Sequence, residues 1–170
     1  MTAPNCISLL RIALIPLFVY FLLAPSHTNN IIAASIFAAL VLTDAVDGFL
    51  ARKLNAATTF GKYIDPLADK ILVITALIGL VELGAVSSVP VMIIVAREFA
   101  VTAWRLAAAS KGIVMAADIF GKWKAAVQML AVPFLILSWP YGELLLWIAV
   151  VLTVYSGGEY IVKTWKGVLE

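Results

Sequence analysis

The sequence predicts an all-α integral membrane protein of six transmembrane helices, and three observations lead there. Hydrophobic residues make up 64% of the 170 residues and charged residues only 13%, against about half and about a quarter in a soluble domain. Too little polar surface remains to coat a water-soluble globule. The apolar stretches also come in runs of roughly 20 residues, the length a helix needs to cross the hydrocarbon core. Finally, basic residues gather in alternate connections, as in a chain that threads back and forth through a bilayer. A chain of this length fits a single domain over 1–170.

The spans fall at about 6–25, 29–52, 62–83, 87–109, 118–138 and 142–163. The first has the look of a signal peptide, but Arg11 lies inside it, no basic cluster precedes it and no A-x-A site stands before His27. It is read as a retained span. The breaks "PSHTNN", "ELGAVSS" and "WPYGE" contain no Lys or Arg, whereas the twelve basic residues lie in or near "KLNAATTFG", "AASKGIVMAAD", the two termini and the adjoining helix ends. That asymmetry puts both termini and the two charged connections in the cytoplasm. Trp139 and Tyr141 belong at the outer interface, Trp123 and Trp165 at the inner one, as ordinary interfacial anchors. One cysteine, Cys6, and one histidine, His27, exclude an internal disulfide framework and a Cys/His metal site.

Several charges fall inside the spans, where each opposes insertion by about 2.5–3.5 kcal/mol at the centre and less near the interface. The stretch "LTDAVDGFLARKLNAATTFGKYIDPLADKILV", 42–73, holds four aspartates between aliphatic flanks. Asp44 and Asp47 are i,i+3 and Asp65 and Asp69 are i,i+4, so each pair shares a helix face. About ten residues join the two helices, so they pack antiparallel with both acidic pairs at the cytoplasmic end. Like charges repel unless a cation sits among them. Four facing carboxylates make a hard, oxygen-rich site suited to two Mg²⁺ or Mn²⁺ ions. Magnesium binds substrate phosphates alongside one or two carboxylates. The residues alone therefore point to two-metal phosphoryl transfer at the inner membrane face.

The same stretch reads D-x2-D-G-x2-A-R-x8-G-x3-D-x3-D, at Asp44, Asp47, Gly48, Ala51, Arg52, Gly61, Asp65 and Asp69. In all eight positions and every interval it resembles the signature of the CDP-alcohol phosphotransferases. The stretches "APNCISLLRIALIP", "IVAREFAVTAWRL" and "GKWKAAVQM" extend the resemblance, most closely to the phosphatidylglycerophosphate synthases within that family. One departure is Ala125, where many relatives carry Thr. The resemblance implies a six-span bundle and a reaction in which an acceptor alcohol displaces CMP from CDP-diacylglycerol. It also implies that Asp44, Asp47 and Asp65 are metal ligands. Asp69 then serves as general base and as a ligand of the second ion; the residues alone do not separate those roles. Gly48, Ala51 and Gly61 fall on the cytidine side, where a side chain would obstruct the nucleotide. Arg52 either forks onto the donor phosphates or anchors the inner face. Asn5 and Ser8 either reach those phosphates or cap the first helix, and Arg11 divides between phosphate contact and anchor.

Arg97 and Arg105, eight residues apart, lie within about 80° of each other around a helix, and Lys122 opens the next span from the same side. Such a cluster reads as a pocket for a phosphorylated acceptor, and glycerol 3-phosphate fits. Arg97 has a competing reading as a partner of Glu98, and Lys111 and Lys124 read as interface anchors. Inositol phosphate or phosphatidylglycerol are the alternative acceptors. A cation transporter using the same carboxylates is the alternative class, disfavoured by their clustering at one end and by the absence of a repeat. No nucleic-acid partner is expected. The family resemblance suggests a homodimer, and the inward-facing site suits a bacterial plasma membrane.

Overall fold

The described residues form six α-helices: α1 (Ala3–Leu22), α2 (His27–Lys53), α3 (Thr59–Glu82), α4 (Ser88–Ser110), α5 (Ile119–Ile136) and α6 (Gly142–Leu169). The computed structural model describes residues 3–53, 59–112 and 119–169, with side chains over 10–43, 67–112 and 119–165. None of the described residues is in a strand. Every expected boundary lies within three residues of the observed one except the last, where α6 runs six residues further. An i,i+4 ion pair between Lys163 and Glu159 supports that extension.

The helix ends follow local chemistry. The Ser26 hydroxyl accepts the Asn29 amide at 3.1 Å and caps α2, and Ser87 does the same for α4 through the Val89 amide at 3.4 Å. Gly84, at φ 67°, ends α3 in a Schellman turn, with Gly84 N donating to Val81 O and Ala85 N to Leu80 O, both at 2.9 Å. Ser138, at φ 53°, closes α5 with the same pattern, Trp139 N donating to Phe134 O at 2.8 Å.

The packing sorts the helices into two groups. α1 lies against α2 and α3; α6 lies against α5 and α4; α3 contacts α4 and α5, and α5 also meets α2. Phe18, Leu22, Phe37, Leu72, Leu77, Leu80, Ile94, Val132 and Leu146 are fully buried between them. The Phe18 and Phe37 rings pack at 5.9 Å. Ala33, Ala76, Ala131 and Ala149 are wholly inaccessible, and such small side chains let membrane helices approach closely.

The outer surface is as apolar as the interior. Leu17, Tyr20, Phe99, Leu130, Val151 and Val162 are all exposed, an outer shell that water would not tolerate on a monomer. Among the described residues two helices are long and apolar enough to cross a membrane, over Ile119–Ile136 and Gly142–Trp165, with shorter apolar stretches at Leu10–Leu22 and His27–Thr43. α3 and α4 fall short of that measure because they carry the ionic residues considered next.

One close approach tests the packing. A methyl group built on Gly79 of α3 would stand 2.5 Å from Leu22 Cδ2 at the end of α1, and Leu22 is 1% exposed with nowhere to swing. Gly79→Val is expected to lower stability in detergent by about 1–3 kcal/mol through overpacking, read as the thermal unfolding midpoint. An unchanged midpoint would mean that the α1–α3 contact yields.

Candidate active site

A cavity of about 300 Å³ opens among α3, α4 and α5. It lies in the half of the bundle where α4 ends and α5 begins. Helical spacing brings its residues to one wall each. Asp69, Lys70, Val73 and Ile74 come from α3; Arg97, Val101 and Arg105, at i, i+4 and i+8, come from α4; Gly121, Ala125 and Gln128, at i, i+4 and i+7, come from α5. Val73, Ile74, Ile94 and Met129 form an apolar floor. Five basic side chains, Lys70, Arg97, Arg105, Lys122 and Lys124, line it against two carboxylates, Asp69 and Glu98. The cavity is therefore shaped and charged for an anion.

Glu98 organises the basic groups. It is 8% exposed; its Oε1 accepts from Arg97 Nη1 at 3.0 Å and from Lys124 Nζ, and its Oε2 lies 3.7 Å from Lys70 Nζ. A buried carboxylate needs such partners, since an unpaired ion there costs several kcal/mol. Arg97 reaches on to α6, where Nη2 donates to Ser156 Oγ at 2.7 Å. Gly157 makes that passage possible, because a methyl group there would stand 2.8 Å from Arg97 Nε. Lys70 Nζ also donates to Thr102 Oγ1 at 2.5 Å. The Arg105 guanidinium lies 4.8 Å over the Tyr160 ring, a cation–π contact. Trp104 stacks on Trp165 and donates to Thr164, so α6 backs this part of α4.

Asp69, at the cavity edge, is held from α1. Arg11, 2% exposed, donates Nη1 to Asp69 Oδ1 at 2.8 Å. Arg11, open between two readings from the sequence, is thus a buried partner of Asp69.

Of the residues singled out in the sequence, Asp69, Arg97, Arg105 and Lys122 line one cavity. The side chains of Asn5, Ser8, Asp44, Asp47, Gly48, Ala51, Arg52, Gly61 and Asp65 lie outside those described. Their helices are in place: Asp44 and Asp47 belong to α2, Asp65 and Asp69 to α3, so the i,i+3 and i,i+4 registers hold. Among the described residues no group of three acidic, Cys or His side chains is positioned for a metal. Lys124 corrects the expectation of an interface anchor. It is 8% exposed and ion-paired, because it faces the Glu98 carboxylate on α4 rather than lipid headgroups. Lys111, by contrast, is exposed just past α4. Arg97 does pair with Glu98, yet it still faces the cavity, so its two readings are compatible. Glu98, named from the sequence only as a partner of Arg97, was missed as a cavity residue, together with Lys70 and Gln128. An acid flanked by "IVAR" and "FAV" in mid-span was the available signal. Ala125, the departure from the family pattern, falls in the cavity wall.

The Arg11–Asp69 contact makes a measurable claim. A double-mutant cycle with Arg11→Met and Asp69→Asn is expected to give a coupling of about 1–3 kcal/mol, below the fully buried range because Asp69 is partly exposed. Unfolding in mixed micelles reads it. Additive losses would mean the two side chains are neighbours without energetic linkage.

The sequence model described as CDP-alcohol phosphatidyltransferase matches residues 1–155. The CDP-diacylglycerol–glycerol-3-phosphate 3-phosphatidyltransferase of Bacillus subtilis (strain 168) is 44% identical, covering 96% of this chain and 95% of that protein. Proteins of the same name from Rickettsia bellii and Haemophilus influenzae are each 35% identical, over 92% and 93% of this chain and 92% and 90% of theirs. With a shared signature, a shared length and a match over most of its residues, this chain belongs to the CDP-alcohol phosphatidyltransferase family.

Proposed function

We propose that the protein transfers the phosphatidyl group of CDP-diacylglycerol to glycerol 3-phosphate, giving phosphatidylglycerophosphate and CMP. The observation that carries this reading is the shared cavity: Asp69 lines the same hollow as Arg97, Arg105 and Lys122. An acid and a phosphate-sized cluster of cations thus face one space, as a phosphorylated alcohol requires. The names of the relatives agree on the same donor and acceptor.

In this reading Arg97, Arg105 and Lys122 take the acceptor phosphate, since guanidinium and ammonium groups match its charge and geometry. That fixes the acceptor hydroxyl toward the acidic end of the cavity. Its oxygen attacks the phosphorus bonded to the lipid, and the bond from that phosphorus to the oxygen of CMP breaks. CMP leaves with the electron pair, while Asp69 receives the hydroxyl proton. The 2.8 Å contact from Arg11 fixes the orientation of that carboxylate. Asp44, Asp47, Asp65 and Asp69 offer an all-oxygen donor set at helical spacing, which fits two Mg²⁺ or Mn²⁺ ions. When bound, the ions offset the charge of the donor pyrophosphate. Gly48, Ala51 and Gly61 leave room for cytidine, and Arg52, Asn5 and Ser8 hold the donor phosphates.

The single domain crosses a bacterial plasma membrane six times, with both termini cytoplasmic, and works as a homodimer. Support for the orientation is the gathering of Lys70, Arg97, Arg105, Lys122 and Lys124 around the cavity, while the turn with Trp139 and Tyr141, both exposed, has no basic residue. The lipid chains of the donor then stay in the bilayer while its nucleotide meets the cytosol.

The test is CMP release by purified protein with CDP-diacylglycerol and Mg²⁺ or Mn²⁺, comparing glycerol 3-phosphate, inositol phosphate, serine and phosphatidylglycerol. Release is expected with glycerol 3-phosphate, stopped by chelation, restored by metal, and lowered on the order of 10²–10⁴-fold by Asp69→Asn. Release with a different acceptor would overturn the acceptor assignment. Folded protein that releases CMP with none of them would overturn the reaction.

A further inference from the structure

We infer that Glu98 is the positioning residue of the acceptor site: its buried carboxylate holds Arg97 and Lys124 in the geometry that receives the acceptor phosphate. The inference rests on the function proposed above and assigns a role to a residue outside the family signature.

Three features carry it. Glu98 Oε1 is shared by Arg97 Nη1 and Lys124 Nζ, so two cations from different helices converge on one oxygen. Lys70, from a third helix, stands 3.7 Å from Oε2. Without the carboxylate, these cations would repel each other in a largely dry wall and swing apart. Second, the Arg97 guanidinium is fixed at two points: Glu98 takes Nη1, and Ser156 takes Nη2 at 2.7 Å. The missing side chain at Gly157 leaves room for this conformation, since a methyl group there would stand 2.8 Å from Nε. Third, Glu98 is itself 8% exposed and lines the cavity beside the residues it orders. Five cations against two carboxylates still leave the hollow positive, so the acceptor dianion is attracted while one of its contacts, Arg97, is already set and Lys124 is held beside it. A site built this way loses little freedom when the ligand arrives.

An alternative physical role predicts the opposite outcome. If Glu98 merely offset surplus positive charge, removing it would strengthen phosphate binding. The experiment is steady-state kinetics in detergent with CDP-diacylglycerol and glycerol 3-phosphate varied separately, for wild type and Glu98→Gln, together with thermal unfolding in the absence and presence of glycerol 3-phosphate. The expected result is a KM for glycerol 3-phosphate raised about tenfold or more, the scale of one lost charged hydrogen bond. The KM for CDP-diacylglycerol should stay within about twofold, and the glycerol 3-phosphate concentration giving half-maximal thermal protection should rise in parallel. An unchanged or lowered acceptor KM would overturn the inference, and so would equal rises in both KM values, the mark of general loosening. Should Glu98→Gln not accumulate as folded protein, Glu98→Asp decides by the same split, since it keeps the charge but withdraws it by one methylene. Wild type that is inactive with glycerol 3-phosphate would instead defeat the proposed function, a separate result.

Discussion

Ionic groups placed beyond the reach of water have to be neutralised by one another, and that constraint shapes the charged end of this bundle. Arg11 finds Asp69 across the α1–α3 contact; Glu98 gathers Arg97, Lys124 and Lys70 from three helices. The pairs of Arg11 with Asp69 and of Glu98 with Lys124 and Lys70 join helices that hydrophobic packing alone would leave free to slide. Membrane helices share no hydrophobic drive to associate, because lipid is as apolar as their side chains. The apolar half therefore relies on shape, through Phe18 against Phe37 and Gly79 against Leu22, while the polar half relies on charge. The two mechanisms meet at the cavity floor, where Ile94 lies one turn from Arg97 and Glu98.

Charge pairing also explains what a carboxylate can do in such a place. Ion pairs between buried groups seldom add much net stability, since desolvation cancels most of the attraction. Their usual merit is specificity of arrangement. Here one arrangement sets basic side chains from α3, α4 and α5 around a single hollow and turns Asp69 toward its edge. The proposed binding of a phosphorylated alcohol and transfer of its proton would both depend on that juxtaposition. Neither function belongs to one helix.

Much of this was legible in the sequence, for reasons that differ from feature to feature. Helix positions were readable because crossing length and short polar breaks are dictated by the bilayer. The overrun of α6 was not, because the span rule marks where apolar residues stop, whereas the Glu159–Lys163 pair lets the helix continue. Asp69, Arg97, Arg105 and Lys122 stood out as charges on apolar helices, and they do share a cavity. Lys124 was misjudged because a lysine near a helix start looks the same whether it snorkels to headgroups or turns inward. Only the partner across the helix interface decides, and Glu98 lies 26 residues away in sequence. The acidic signature spanning α2 and α3 is legible as spacing and family pattern; the described side chains add Asp69 and its Arg11 partner.

The apolar floor has a consequence for the membrane as a whole. Val73, Ile74, Ile94 and Met129 make part of the hollow's lining apolar, and Val73 and Ile94 belong as well to the packed core of the bundle. A protein that handles small charged metabolites inside a bilayer runs the risk of becoming a leak for protons and ions. Here the charged wall of the cavity borders directly on that packed core. In a bilayer, that packing would stand between the charged site and the far side of the membrane, so that anionic substrates could be handled without opening a path for ions.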